Sequence, residues 1–139
     1  MLLLDAGVWI AAVDSEDRYH SASRALVLVS TAPTAALDLT LYEVANVIGA
    51  RKRQHDLAER ACRSIPERCG EHIARIDAEL VKQTVTAIAE HGLTAYDAAY
   101  VAVARRYGWT LVSTDLKDLV SRDLALAPDD PSIQPPDDR

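Results

Sequence analysis

The sequence predicts an α/β fold, a mainly parallel sheet of four or five strands flanked by helices. Three observations lead there. Short apolar runs alternate with longer stretches of helical periodicity along residues 1–127. The strand candidates are brief and uniformly apolar, as strands buried on both faces are. The chain has no Phe, so its core must be mostly Leu, Val, Ile and Ala, which suits helices packed closely on a sheet.

Leu2 to Leu4 is the first strand, and the chain turns at its carboxyl end through Asp5 and Gly7. Val8 to Val13 makes one or two helical turns, and Asp14 to Asp17 is a polar break. Tyr19 to Ser30 is an amphipathic helix carrying Ala22, Ala25, Leu26 and Val29. Thr34 to Leu39 is a second strand. Thr40 is the expected N-cap of a helix reaching Arg53, which puts Glu43 at the capping-box position. Asp56 to Cys69 is helical, bent or split at Pro66.

Ile73 to Ile76 is the third strand, and Asp77 to His91 a helix stopped by Gly92. The helix around which the chain is organised follows, with Thr94 and Asp97 in its first turn, alanines at 98, 99, 102 and 104, and Gly108 as its stop. Thr94 and Asp97 have capping-box spacing, with Asp in place of the usual Glu or Gln. Thr110 to Ser113 is the fourth strand, Leu116 to Ser121 a helical turn, and Leu124 to Ala127 an edge strand.

Residues 1–127 form one expected domain. Four of the six prolines fall among acids in residues 128–139, which reads as a disordered or partner-bound tail. Net charge is −6, which argues against a general nucleic-acid coat. Without the tail, 14 basic side chains face 17 acidic ones. No stretch approaches a membrane span, and the apolar start lacks the basic residues of a secretory signal. Cys62 and Cys69 lie about 10 Å apart on a straight helix, too far to bridge, and read as reduced thiols of a cytoplasmic protein.

In an open parallel sheet the ligand site lies beyond the carboxyl ends of the strands. Asp5 and Asp115 sit at such ends, and Glu43 and Asp97 at helix starts, so all four can face one edge. Two carboxylates 5 Å apart repel by roughly 3 kcal/mol at an effective dielectric near 20. Four of them need protons or a divalent cation, and all-oxygen ligands suit Mg²⁺ or Mn²⁺. The histidines at 20, 55, 72 and 91 have no metal spacing and read as surface residues. A carboxylate-held cation points to phosphate chemistry, in which no protein nucleophile is needed. Asp118, one helical turn past Asp115, is either a further ligand or a solvated turn residue. Arg51, Lys52, Arg53, Arg105 and Arg106 are candidate phosphate contacts, and their alternative role is to complement helix C-termini.

Four blocks carry a resemblance: Leu-Leu-Leu-Asp5, Thr40-Leu-Tyr-Glu43-Val-Ala-Asn46-Val, Thr94-Ala-Tyr-Asp97-Ala-Ala-Tyr and Leu111-Val-Ser113-Thr-Asp115. In order and spacing they resemble the signature blocks of PIN-domain nucleases, and the length resembles VapC toxins of bacterial toxin–antitoxin pairs. The resemblance covers roughly residues 1–127. It implies a three-layer fold with a five-stranded parallel sheet. It also implies an Mg²⁺- or Mn²⁺-dependent endoribonuclease acting through Asp5, Glu43, Asp97 and Asp115, often on tRNA or rRNA. Asp5, Asp97 and Asp115 would hold the metal, with Ser113, Asn46 and Asp118 in support. A VapB-like antitoxin and a homodimer are the implied partners. One departure stands out. The family often has a small polar residue after the first Asp, where this chain has Ala6 and Gly7, so a hydrogen bond orienting Asp5 or a bound water is expected to be missing. The alternative function is a catalytically weakened module of the same fold that binds RNA or antitoxin.

Overall fold

The computed structural model describes residues 1–136; residues 137–139 of the expected tail lie outside the described residues. Four parallel strands stand in the order β3-β2-β1-β4: β1 (Leu2–Leu4), β2 (Thr34–Leu37), β3 (Ile73–Ala74) and β4 (Thr110–Val112). Leu3 pairs with Ala35 on one side and with Leu111 on the other. The expected edge strand at 124–127 reduces to a single parallel bridge between Leu126 and Val112.

The strands' alternation splits the core into two. Leu3, Ala35, Leu37 and Leu111 face helices α5 (Ala78–His91) and α6 (Ala95–Tyr107). Leu2, Leu4, Ala36 and Val112 face the other layer. That layer holds α1 (Ala6–Val13), α2 (His20–Arg24), α3 (Asp38–Val44) and α4 (His55–Cys69). The result is three layers with the sheet in the middle. Buried alanines at 98, 99 and 102 let α6 lie close to the strands. Gly92 and Gly108 end α5 and α6 at φ of 64° and 67°, a conformation costly for any residue with a Cβ.

Three expectations are corrected. Thr40 does not cap α3. The helix begins at Asp38, immediately after β2, and Thr40 is buried inside it. Asp38 in the first turn suits the positive end of the helix, and its Oδ2 accepts from Ile76 N at 3.1 Å. The helices expected to run to Ser30 and Arg53 instead widen into π-helical turns at Ala25–Val29 and Ala45–Arg51. Pro66 lies in the last turns of α4, which continues through it without a break.

The thiols of Cys62 and Cys69 are both free. Within the tail, Ile133 packs against the core layer of Leu2 and Leu4, and Gln134 Nε2 reaches Ala22 O at 3.3 Å. No helix among the described residues is long and apolar enough to cross a membrane.

Candidate active site

β1 lies between β2 and β4, so the chain leaves it in one direction and returns beside it from the other. Such a switch point opens a crevice at the strands' carboxyl ends. Asp5 directly follows β1 there, and Ser113 directly follows β4. Asp5 N donates to Val112 O at 3.1 Å, which ties the two exits together.

Asp5 is buried and caps α1, its Oδ1 accepting from Val8 N at 3.2 Å. Burial pushes its carboxyl up to about 7, against the pull of hydrogen bonds from the Ser113 hydroxyl and Val8 N. The charges of Glu43 and Asp97 push it further up. Ser113 also accepts from Asp115 N at 3.0 Å, so one hydroxyl orients both the first and the last of the predicted acids.

Asp97 stands in the first turn of α6. Thr94 Oγ1 accepts from Asp97 N at 3.2 Å, so the predicted cap is present. The reciprocal bond of a capping box is absent among the described residues, which leaves the Asp97 carboxylate free to face the crevice. Partial burial raises its pKa, and Asp115 and Asp118 raise it further. Carboxylate oxygens of Asp97, Asp115 and Asp118 all lie within 4.8 Å of one another. Asp118 N donates to Asp115 Oδ1 at 2.9 Å, which fixes that half of the trio. Asp5 is not a member of the trio; it lies behind, near enough to sense Asp97.

Glu43 comes from α3. Burial raises its pKa, the Tyr100 hydroxyl lowers it, and Asp97 raises it. Tyr100 OH donates to Glu43 Oε1 at 2.8 Å and lies 2.7 Å from Thr40 Oγ1. A phenol has one proton, so with that proton on Glu43 it accepts from Thr40. Thr40 and Tyr100 thus form a buried relay that positions Glu43. The sequence does not single out Tyr100 as a site residue, because it sits in an Ala/Val run that looks like plain core. The signal was there: a tyrosine three residues after Asp97 shares its helix face, and a buried phenol needs a partner.

Gly7 also acquires a reason. A Cβ there would stand 2.2 Å from Thr114 Oγ1 and 3.3 Å from Asp5 Oδ1. The Thr114 hydroxyl therefore fills the space a side chain at position 7 would take, beside Asp5. The structure places Asn46, Arg51 and Arg53 on the exposed surface. Lys52 is engaged by Asp14 at 2.7 Å, Arg105 by Glu90 at 2.8 Å and Arg106 by Asp77 at 3.2 Å. Arg51 and Arg53 form no ion pair among the described residues. Five carboxylates thus gather at one sheet edge, and their hard oxygens suit a divalent cation, with Asp97, Asp115 and Asp118 the set close enough to share one.

Residues 2–122 match the family model described as PIN domain. The chain is 34% identical over 118 residues to ribonuclease VapC3 of Pyrobaculum aerophilum, covering 82% of this chain and 88% of that protein. Among solved structures, VapC20 of Mycobacterium tuberculosis, described as a sarcin-ricin loop cleaving toxin, superposes with a TM-score of 0.70. Its identity is 19%, over 84% of this chain and 92% of that one. A toxin–antitoxin complex from Klebsiella pneumoniae gives a TM-score of 0.69 at 20% identity, over 92% of this chain and 98% of that one.

Proposed function

The chain belongs to the PIN-domain family, on its VapC branch, and from that premise we propose that it is an endoribonuclease and the toxin of a toxin–antitoxin pair. The observation that carries the reading is the trio of carboxylates with oxygens within 4.8 Å, backed by Asp5 and Glu43 with raised pKa values. Charges so close repel one another, a cost a protein tolerates where a cation is to be bound.

Asp97, Asp115 and Asp118 are the residues that would hold the ion, with Asp5 behind them, and Mg²⁺ or Mn²⁺ fits this donor set. When bound, such an ion supplies positive charge to the scissile phosphate and makes a nearby water more acidic. The chain's own residues do the rest. Ser113 holds Asp5 and Asp115 in register. Tyr100 and Thr40 aim Glu43, whose carboxylate is the group suited to accept a proton from an attacking water. Of the five candidate basic residues, Arg51 and Arg53 are exposed and form no ion pair among the described residues, which suits them to meet phosphates. Structured RNA, tRNA or rRNA, is the proposed substrate, read at an unpaired loop.

The partners we assign are a VapB-like antitoxin and a second copy of the chain, and the proposed compartment is the cytoplasm. Residues 1–127 are assigned as the nuclease unit and 128–139 as an acidic appendage. Purified protein should cleave total RNA with Mg²⁺, and Asp97→Asn should lower the rate by at least about 100-fold, the upper end of what loss of an outer hydrogen-bond partner costs a metal site. Cleavage unchanged in Asp97→Asn removes the mechanism. A second reading, a binding module without catalysis, draws on the absent polar side chain at Gly7. RNA retained but uncut by the parent chain would favour it.

A further inference from the structure

Of the five tyrosines, three have their rings accounted for. Tyr19 and Tyr100 are buried, and Tyr107 stacks on Trp109 with centroids 4.5 Å apart. Tyr42 and Tyr96 are 81% and 59% exposed and have no aromatic or cationic partner among the described residues. An exposed phenol ring leaves a large apolar face in water, and here the two lie in one place. Tyr42 directly precedes Glu43 and Tyr96 directly precedes Asp97. The fold that brings Glu43 and Asp97 within range of each other's charge therefore brings both rings to the rim of the carboxylate site. They line a single open cleft of about 530 Å³ together with Glu43, Asn46 and Arg51.

We propose that this cleft is a base-stacking subsite for an unpaired nucleotide next to the scissile phosphate, with Tyr42 and Tyr96 as its platforms. The inference rests on the nuclease reading and specifies its substrate as single-stranded at that position. Three features of the cleft select this occupant. Glu43 belongs both to the cleft and to the acid cluster, so a nucleotide linked to a phosphate in the cluster reaches the rings without a gap. The acids repel phosphates, so the strand needs a source of attraction that charge does not supply. Stacking supplies it for any base, because each has a π face. Finally, the ends of the cleft complement a nucleotide. The exposed amide of Asn46 offers both donors and an acceptor to a base edge, and Arg51 offers a cation to the next phosphate.

The test is fluorescence anisotropy of a labelled ten-nucleotide single-stranded RNA in EDTA, with the same strand annealed into a duplex as the comparison. Tyr42→Ala and Tyr96→Ala should each weaken single-strand binding by about 5- to 150-fold, the range that corresponds to stacking of one base on an aromatic ring. Tyr42→Phe and Tyr96→Phe should bind within about 2-fold of the parent, since the ring is kept. Both side chains are exposed, so truncation leaves the core intact. Alanine variants that bind as the parent does, or phenylalanine variants that lose as much as alanine, overturn the proposal. So does equal affinity for duplex, and so do variants that keep RNA binding while losing the antitoxin, which would give the cleft to a protein segment. A parallel assay of the parent with Mg²⁺ and total RNA separates the two claims. A parent that cuts RNA while ignoring both tyrosines overturns the subsite alone, and a parent that cuts nothing overturns the nuclease reading.

Discussion

Asp5 does two jobs that conflict. As an N-cap it stabilises α1 through Val8 N, and as a buried acid it destabilises the fold whenever it is ionised. Its carboxyl, normally near 3.8, is held at about 7. Between those pH values the unfolded chain has released the proton and the folded chain has kept it. Stability therefore falls as pH rises from about 4 to about 7, and the full penalty of about 4 kcal/mol is present above 7. Asp5→Asn keeps an oxygen for Val8 N and removes the charge. In urea unfolding of the metal-free protein it should be more stable than the parent at pH 8 by on the order of 2–4 kcal/mol, and by less than half as much at pH 5. A variant less stable than the parent at pH 8 contradicts this account of Asp5. The predicted acids were readable only as a set, because a helix start is also where an acid serves as a cap, as Asp5 does for α1. Asp118 was undecided in the sequence because one helical turn from Asp115 is also where a solvated turn residue sits. Only the 2.9 Å bond from its own N–H to Asp115 shows how the pair is held together. Thr114 left no mark in the sequence, since its hydroxyl matters only through a contact with Gly7 more than a hundred residues away.

Helix α6 links the two halves of the site. Its first turn offers Asp97 at the surface, and one turn later Tyr100 passes through the core to Glu43 on α3. Tyr100→Phe leaves the ring in place but strands Glu43 and Thr40 without their shared partner. Leaving buried polar groups unpaired costs about 1–3 kcal/mol, and loss of an orienting bond at such a site lowers activity about 10- to 100-fold. The pH profile should move as well. The Tyr100 hydroxyl lowers the pKa of Glu43, so without it Glu43 keeps its proton to higher pH. The acidic limb of the rate profile should then shift upward, whereas mere loosening of the core would lower the rate at every pH alike. Most elements were legible because their ends are marked: Thr94 and Gly108 for α6, Asp77 and Gly92 for α5. The π-helical turns were not, because one extra residue in a turn barely disturbs a helical apolar pattern. The start of α3 lies before Thr40, where the sequence marks no cap, because Ser and Thr hydroxyls also serve inside helices, and here the hydroxyl's partner lies sixty residues away.

Across the whole molecule, the sheet order turns a scattered set of acids into one site. β1 at the centre, with β4 beside it, puts residues 5 and 113–118 at neighbouring strand exits, and α3 and α6 deliver Glu43 and Asp97 from either face. The class of the fold was readable from alternation and apolar strands, but the order of the strands was not, because no local pattern encodes which strands become neighbours. The central claim is that this gathering makes a site for a divalent cation. Calorimetric titration of the purified chain with Mn²⁺ at pH 8 tests it most directly. The account predicts saturable binding to the parent and loss of that binding in both Asp97→Asn and Asp115→Asn, with each variant still folded. No heat from the parent at millimolar Mn²⁺, or an unchanged isotherm in the two variants, would contradict it.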